Sequence, residues 1–144
     1  MKKDESGFDR RQLIRLAVEN LKYSYAPYSH YNVAAALLAG SGKIYTGVNV
    51  ENASFPAGKC AEHNAITNAV GCGERVIVAM AIVGGPDYTI RDYCHPCGVC
   101  RQVMREFCGD PREMLVIEAK SETDFVERTL QELFPESFSC EEMK

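Results

Sequence analysis

Three stretches, residues 32–39, 75–84 and 114–119, are almost wholly apolar and lack the polar alternate positions of a half-exposed strand. Their length suits strands, and an apolar run without a polar face has to be covered on both sides. The alanine-rich run at 32–39 carries no charge and no helical punctuation, so it too reads as a buried strand. A sheet buried on both faces needs helices on both faces, and this requirement organises the rest of the chain.

The remaining segments supply those helices. Asp9 followed by Gln12 suggests a capping box. Leu13, Ile14, Ala17, Val18, Leu21 and Tyr25 then recur at helical spacing, with Pro27 as the stop. Gly40-Ser-Gly42 turns the 32–39 strand back into 43–49 as a hairpin. Residues 50–59 form a polar loop, and a helix opens at Cys60 and stops near Gly71 or Gly73. After the 75–84 strand, residues 85–93 form a loop and 97–107 a second internal helix, ended by Gly109-Asp-Pro111. A short edge strand at 125–126 follows the 114–119 strand, and Thr129 with Glu132 caps a last short helix. The order α-β-β-α-β-α-β-β-α predicts a three-layer α/β/α sandwich around a mixed five-stranded sheet. At 144 residues, the chain reads as one domain over 1–144.

Charge and cysteine usage narrow the function classes. A net charge of −4 argues against a nucleic acid polymer as partner, which favours a basic face, and points to a small polar molecule. No apolar run reaches membrane-spanning length, so no membrane partner is expected. The segment from Met1 to Gly7 has no apolar core of a secretory signal. Seven cysteines, an odd number without regular spacing, suggest thiols kept reduced for metal or packing, hence a cytoplasmic location.

The thiols fall into a chemical pattern. Cys60-Ala61-Glu62 puts a soft ligand and a carboxylate two residues apart where a loop becomes a helix, and Pro96-Cys97-Gly-Val-Cys100 offers two more thiols at another helix start. Three thiolates leave one position of a tetrahedral Zn²⁺ free for water, which marks a catalytic rather than a structural site. Glu62, beside the ligands but not one of them, could move protons for that water. Helix N-termini favour thiolate over thiol. Cys72, Cys108 and Cys140 read as packing thiols. Cys94-His-Pro-Cys97-Gly-Val-Cys100 also resembles part of an iron–sulfur motif, but Met104 stands where its next cysteine belongs.

With these residues in view, the chain resembles the short, homotetrameric cytidine deaminases, a zinc-dependent family, over nearly all of residues 25–138. The matching segments are Ala26-Pro-Tyr-Ser29, Gly47-Val-Asn-Val-Glu-Asn-Ala53, Cys60-Ala-Glu62, the run from Pro96 to Phe107, and Glu132-Leu-Phe-Pro135 ahead of Phe138. The resemblance implies that Cys60, Cys97 and Cys100 hold one Zn²⁺ per chain. It implies that Glu62 takes a proton from water, passes it to the pyrimidine N3 and helps protonate the departing amine. Asn49 and Glu51 would bind sugar hydroxyls, Ala61 would offer backbone contacts to the base, and Tyr31 would pack against it. Phe138 would reach a neighbouring subunit's site in a homotetramer with shared active sites. The implied reaction converts cytidine and deoxycytidine to uridine and deoxyuridine in pyrimidine salvage.

Two departures bear on the site. The family usually has Arg after Cys-Ala-Glu, where it offsets thiolate charge; here His63 stands there and is expected to donate to a zinc thiolate from outside the ligand set. Ser or Thr is usual where His95 precedes Pro96; its backbone carbonyl would accept from the leaving amine, and its imidazole could narrow that pocket. The competing readings are a deaminase of another aminopyrimidine, such as blasticidin S or a modified cytidine, and a non-catalytic zinc or iron–sulfur module.

Overall fold

In the computed structural model, residues 7–144 are described; residues 1–6, most of the segment read as carrying no signal, lie outside them. The chain forms α1 (Arg10–Asn20), β1 (Tyr31–Ala39), β2 (Ile44–Val48), α2 (Ala61–Gly71), β3 (Ile77–Pro86), α3 (Gly98–Phe107), β4 (Leu115–Ala119), β5 (Phe125–Thr129) and α4 (Leu130–Leu133). The sheet order is β2-β1-β3-β4-β5. Only β3 and β4 are parallel, so the sheet is mixed.

The apolar runs become the central strands because both of their faces are covered. Ala34, Ala36, Ala79, Ala81, Val83, Ile117 and Ala119 face one way and pack with Leu13, Ile14 and Ala17 of α1. Ala35, Leu37, Ile82 and Val116 face the other way, against Ala61, Ala65 and Ala69 of α2 and Cys100 and Met104 of α3. The three-layer sandwich follows from that partition. Small alanines on β1 let helices approach closely on both sides. Helix α2 comes close at Gly47 of β2, where an added Cβ would lie 2.3 Å from the Ala65 nitrogen and 2.5 Å from the Ala61 carbonyl oxygen. Gly47→Ala is therefore expected to push the start of α2 off the sheet and to cost about 3 kcal/mol, a Tm loss of roughly 10 °C in thermal unfolding.

The helix starts follow local rules. Asp9 accepts from the Gln12 backbone N–H at 3.1 Å, and Thr129 and Glu132 form a complete capping box at α4. The end of α1 differs from the periodicity. The α-helix stops at Asn20, whose side chain bonds back to the Leu16 carbonyl, and a 3₁₀ turn follows at Leu21–Tyr23. Tyr25 leaves the helix because its backbone pairs with the next segment: its N–H donates to Asn49 O at 3.0 Å, and its carbonyl accepts from Glu51 N at 2.9 Å. Strand β3 runs on to Pro86 because Asn32 and Tyr31 of β1 continue to pair with Gly85 and Pro86. Beyond it, Asp87 and Tyr88 both adopt left-handed backbone angles (φ 49° and 60°). That turn is held by bonds from the Tyr88 N–H to the Asn32 side chain and from the Tyr88 hydroxyl to Ser24 O, each 2.9 Å. Edge strand β5 extends to Thr129, beyond the two residues expected, and a 3₁₀ turn at Cys140–Met143 has no counterpart in the sequence reading. No helix among the described residues is long and apolar enough to cross a membrane.

Candidate active site

Helices α2 and α3 pack on the same face of the sheet, and their first residues meet. Cys60 and Cys97 are the N-cap residues of α2 and α3, with nearly the same extended backbone (φ −72°, ψ 156° and φ −72°, ψ 170°). Neither side chain makes a capping hydrogen bond. Each thiol therefore stands at a helix N-terminus while remaining free for another partner.

Cys100, one turn into α3, is fully buried and completes the group. The Sγ atoms of Cys60, Cys97 and Cys100 lie within 4.8 Å of one another. Cys60 and Cys97 are 3.8 Å apart, and Cys97 and Cys100 are 3.4 Å apart. Three thiolates around a tetrahedral zinc, with bonds near 2.3 Å, would stand roughly 3.8 Å from one another, so the cluster fits the ion. All three cysteines are free thiols. A hydrogen bond from Cys100 lowers the Cys60 thiol below its ordinary value, while Cys100, as its partner, is raised. The site thus leans toward a thiolate before any cation arrives.

Glu62, in the first turn of α2, is only 4% exposed and sits against Cys100 and Cys60. Burial pushes its carboxyl up to about 7. A carboxyl that exchanges a proton near neutrality, beside a three-thiol cluster, has the properties of a general acid and base. Ala61, between Cys60 and Glu62, is fully buried.

The other sequence candidates fall into two groups. Glu51 lines an open cleft of about 380 Å³ with Tyr28, Ser29, Asn52, Phe55 and Gly58, on the loop that leads into Cys60. Its carboxylate accepts from the backbone N–H groups of Tyr28 (2.9 Å) and Ser29 (3.0 Å) and from the Ser29 hydroxyl. These donors, the hydroxyl foremost, hold its carboxyl below the usual carboxylate range. A depressed folded value means that the contribution to stability is present above the unfolded pKa and is lost as pH falls through the folded one. Ser29→Ala should raise the Glu51 titration midpoint, read from the side-chain carboxyl shift in a ¹³C NMR pH series. An unmoved midpoint would exclude the hydroxyl as the main cause.

Asn49 is more committed than the motif suggests. Its side-chain oxygen accepts from the Ser24 hydroxyl and from Val33 N (2.9 Å), and its amide donates to Tyr31 O (2.8 Å). It ties the loop to β1, and among the described residues its second amide N–H has no partner. Tyr31 lies against the Cys94 thiol, and burial pushes its phenol up to about 12. His63 is half-buried, and among the described residues its imidazole donates to none of the three thiols; its backbone carbonyl accepts from Thr67. The Phe138 ring is 58% exposed, and Gln102 holds its carbonyl at 3.0 Å.

Three contributors escaped the sequence reading. Arg101 donates to Pro96 O (3.1 Å) and Leu133 O (2.6 Å), bracing the turn that carries Cys97. Ser24 joins Asn32 and Asn49 in a buried polar network. Glu118, inside an apolar strand, pairs with His95. Arg101 sits inside the Cys97–Cys100 motif and so had a local signal; the partners of Ser24 and Glu118 are distant in sequence.

Known proteins resemble this chain in sequence and fold. The family described as "Cytidine and deoxycytidylate deaminase zinc-binding region" matches residues 9–117. A cytidine deaminase of Halalkalibacterium halodurans is 39% identical over 135 residues, covering 94% of this chain and 98% of that one. The crystal structure of cytidine deaminase from Burkholderia pseudomallei superposes with a TM-score of 0.78 at 37% identity, covering 88% of this chain and 97% of that one. That of Mycobacterium tuberculosis gives 0.77 at 32% identity, covering 92% and 98%. With its three thiols gathered at two helix starts and a buried glutamate beside them, the chain belongs to the zinc-binding cytidine and deoxycytidylate deaminase family.

Proposed function

We propose that this chain hydrolyses cytidine and deoxycytidine to uridine and deoxyuridine with release of ammonia, using one zinc ion held by Cys60, Cys97 and Cys100. One observation carries the reading: three thiols within 4.8 Å of one another, with the Glu62 carboxyl buried against them. A zinc ion there supplies a Lewis acid that activates water for attack on the ring carbon bearing the amine.

The chain's own residues do the rest. Glu62 takes the proton that the attacking water gives up and passes it to ring N3; it then takes the proton of the hydroxyl added to the ring carbon and gives it to the amine, which leaves as ammonia while the carbonyl forms. Its ordinary carboxyl value lies too low for that exchange at neutral pH, and burial moves it into range. Glu51 and the remaining amide N–H of Asn49 hold the sugar hydroxyls. The Ala61 backbone and the Tyr31 ring orient the base, and the His95 carbonyl accepts from the amine. The chain works as a homotetramer in which the exposed Phe138 closes a neighbour's site, and it serves pyrimidine salvage in the cytoplasm.

The deciding experiment follows loss of the cytidine ultraviolet band on purified protein, with zinc quantified on the same sample. Turnover with about one zinc per chain is the expected result. Zinc without turnover of cytidine or deoxycytidine, joined to turnover of blasticidin S, would move the substrate to another aminopyrimidine. Light scattering at four times the chain mass of 16.0 kDa would bear out the tetramer, and a stable, active monomer would refute it.

A further inference from the structure

We infer that Glu118 is a positioning residue for the metal-binding turn, acting through His95. The inference rests on the zinc reading above, and it concerns a residue to which neither the motif nor the mechanism assigns a role.

Glu118 lies near the carboxyl end of β4, opposite Ile82 of the parallel strand β3. Its side chain shares a face with Val116, the face that packs against α2 and α3 and carries the thiols. The side chain is 1% exposed, in a strand whose other residues are Leu, Val, Ile and Ala. Folding alone needs an apolar residue there. A carboxylate at such a position is costly unless fully paired, and a buried ion pair is often matched or bettered by apolar packing.

Both of its oxygens are paired. One accepts from Arg128 Nη1 at 2.8 Å, from the neighbouring edge strand β5. The other meets His95 Nδ1. The His95 side chain is otherwise 65% exposed, and among the described residues its ring has no other hydrogen bond. His95 is followed by Pro96 and then by Cys97. Proline fixes its own backbone angle and restricts the residue before it, so the orientation of His95 is passed to Cys97 with little slack. Arg101 grips the Pro96 carbonyl from the other side. The turn that presents the Cys97 thiol is therefore clamped twice: by α3 through Arg101 and by the sheet through Glu118.

The zinc-loaded chain tests this. Zinc transfer to a competing chelator, Tm, and kcat and KM for cytidine are measured for wild type, Glu118→Leu, Glu118→Gln, His95→Ala and the Glu118→Leu/His95→Ala double variant. Glu118→Leu should release zinc about tenfold faster, the scale on which partners of metal-site groups act. Its Tm without zinc should be unchanged or higher, because the buried charge is gone and the half-exposed Arg128 can turn to solvent. Glu118→Gln, whose amide can still pair with the imidazole, should stay within about twofold of wild type. The double variant should release zinc no faster than Glu118→Leu alone, because both changes break one connection.

Unchanged zinc release in a folded Glu118→Leu, or an additive double variant, would overturn the inference. Should Glu118→Leu fail to fold, His95→Ala decides, since its exposed ring is dispensable for packing: faster release supports the clamp and unchanged release refutes it. Zinc release needs no substrate, so a wild type that holds zinc but leaves cytidine intact would sink the substrate reading while this test still runs.

Discussion

Glu62→Gln is expected to leave fold and zinc content intact while removing nearly all turnover, a drop in kcat of about 10²–10⁴-fold or more. Glutamine matches the shape of the buried side chain, so the close packing at the start of α2 keeps its volume. It carries no charge, so it escapes the penalty on the charged form that pushes Glu62 up to about 7. In the proposed mechanism the position is not a zinc ligand, so zinc per chain should equal that of wild type. What it cannot do is take a proton and return it. Steady-state kinetics with zinc analysis on the same sample checks this. Turnover near the wild-type rate would mean that another group moves the proton and that Glu62 is a packing residue.

Cys97→Ala has the second largest expected effect, and it separates a metal site from a chance cluster of thiols. Cys97 is the best of the three to remove. Cys100 is fully buried, so its loss would also open a cavity, whereas Cys97 is exposed and its side chain caps nothing. Losing a direct ligand should exceed the 10–100-fold loss typical of an outer partner, so zinc should bind at least about 100-fold more weakly. A hundredfold weakening removes about 3 kcal/mol of ligand-linked stability at saturating zinc. The zinc-dependent rise in Tm should shrink by roughly 10 °C, with turnover lost at limiting zinc. Stripped of metal, the variant and wild type should unfold at the same temperature. Cys72→Ala and Cys140→Ala, which remove exposed thiols outside the cluster, should change none of these readings. Equal zinc binding by Cys97→Ala would break the three-thiol assignment.

Much of the architecture was legible in the chain because the signals involved are local. The apolar runs identified the buried strands, since a segment without a polar face has to be covered twice. Asp9, Thr129 and Glu132 announced helix starts, because caps act over three residues. Where pairing partners come from far away, local reading failed. Tyr25 kept helical spacing, yet its backbone pairs with Asn49 and Glu51, which draws it out of the helix. Phe125 and Val126 read as a stub, yet register with β4 extends the strand to Thr129.

The same division runs through the site. Residue types and spacing, together with the family resemblance, pointed to the donor set: Cys60 with Glu62 two residues on, and Cys97 with Cys100 one helical turn apart. Those relations are short enough for backbone geometry to enforce. Only the tertiary structure decided that Cys60 meets Cys97, 37 positions on in the chain, because that contact depends on α2 and α3 packing on one face of the sheet. It also decided that Asn49 spends most of its amide on the fold and that Glu118, hidden in an apolar strand, reaches His95. Neither partner could be read from a run of residues, because a hydrogen bond between distant segments exists only once the sheet has brought them together.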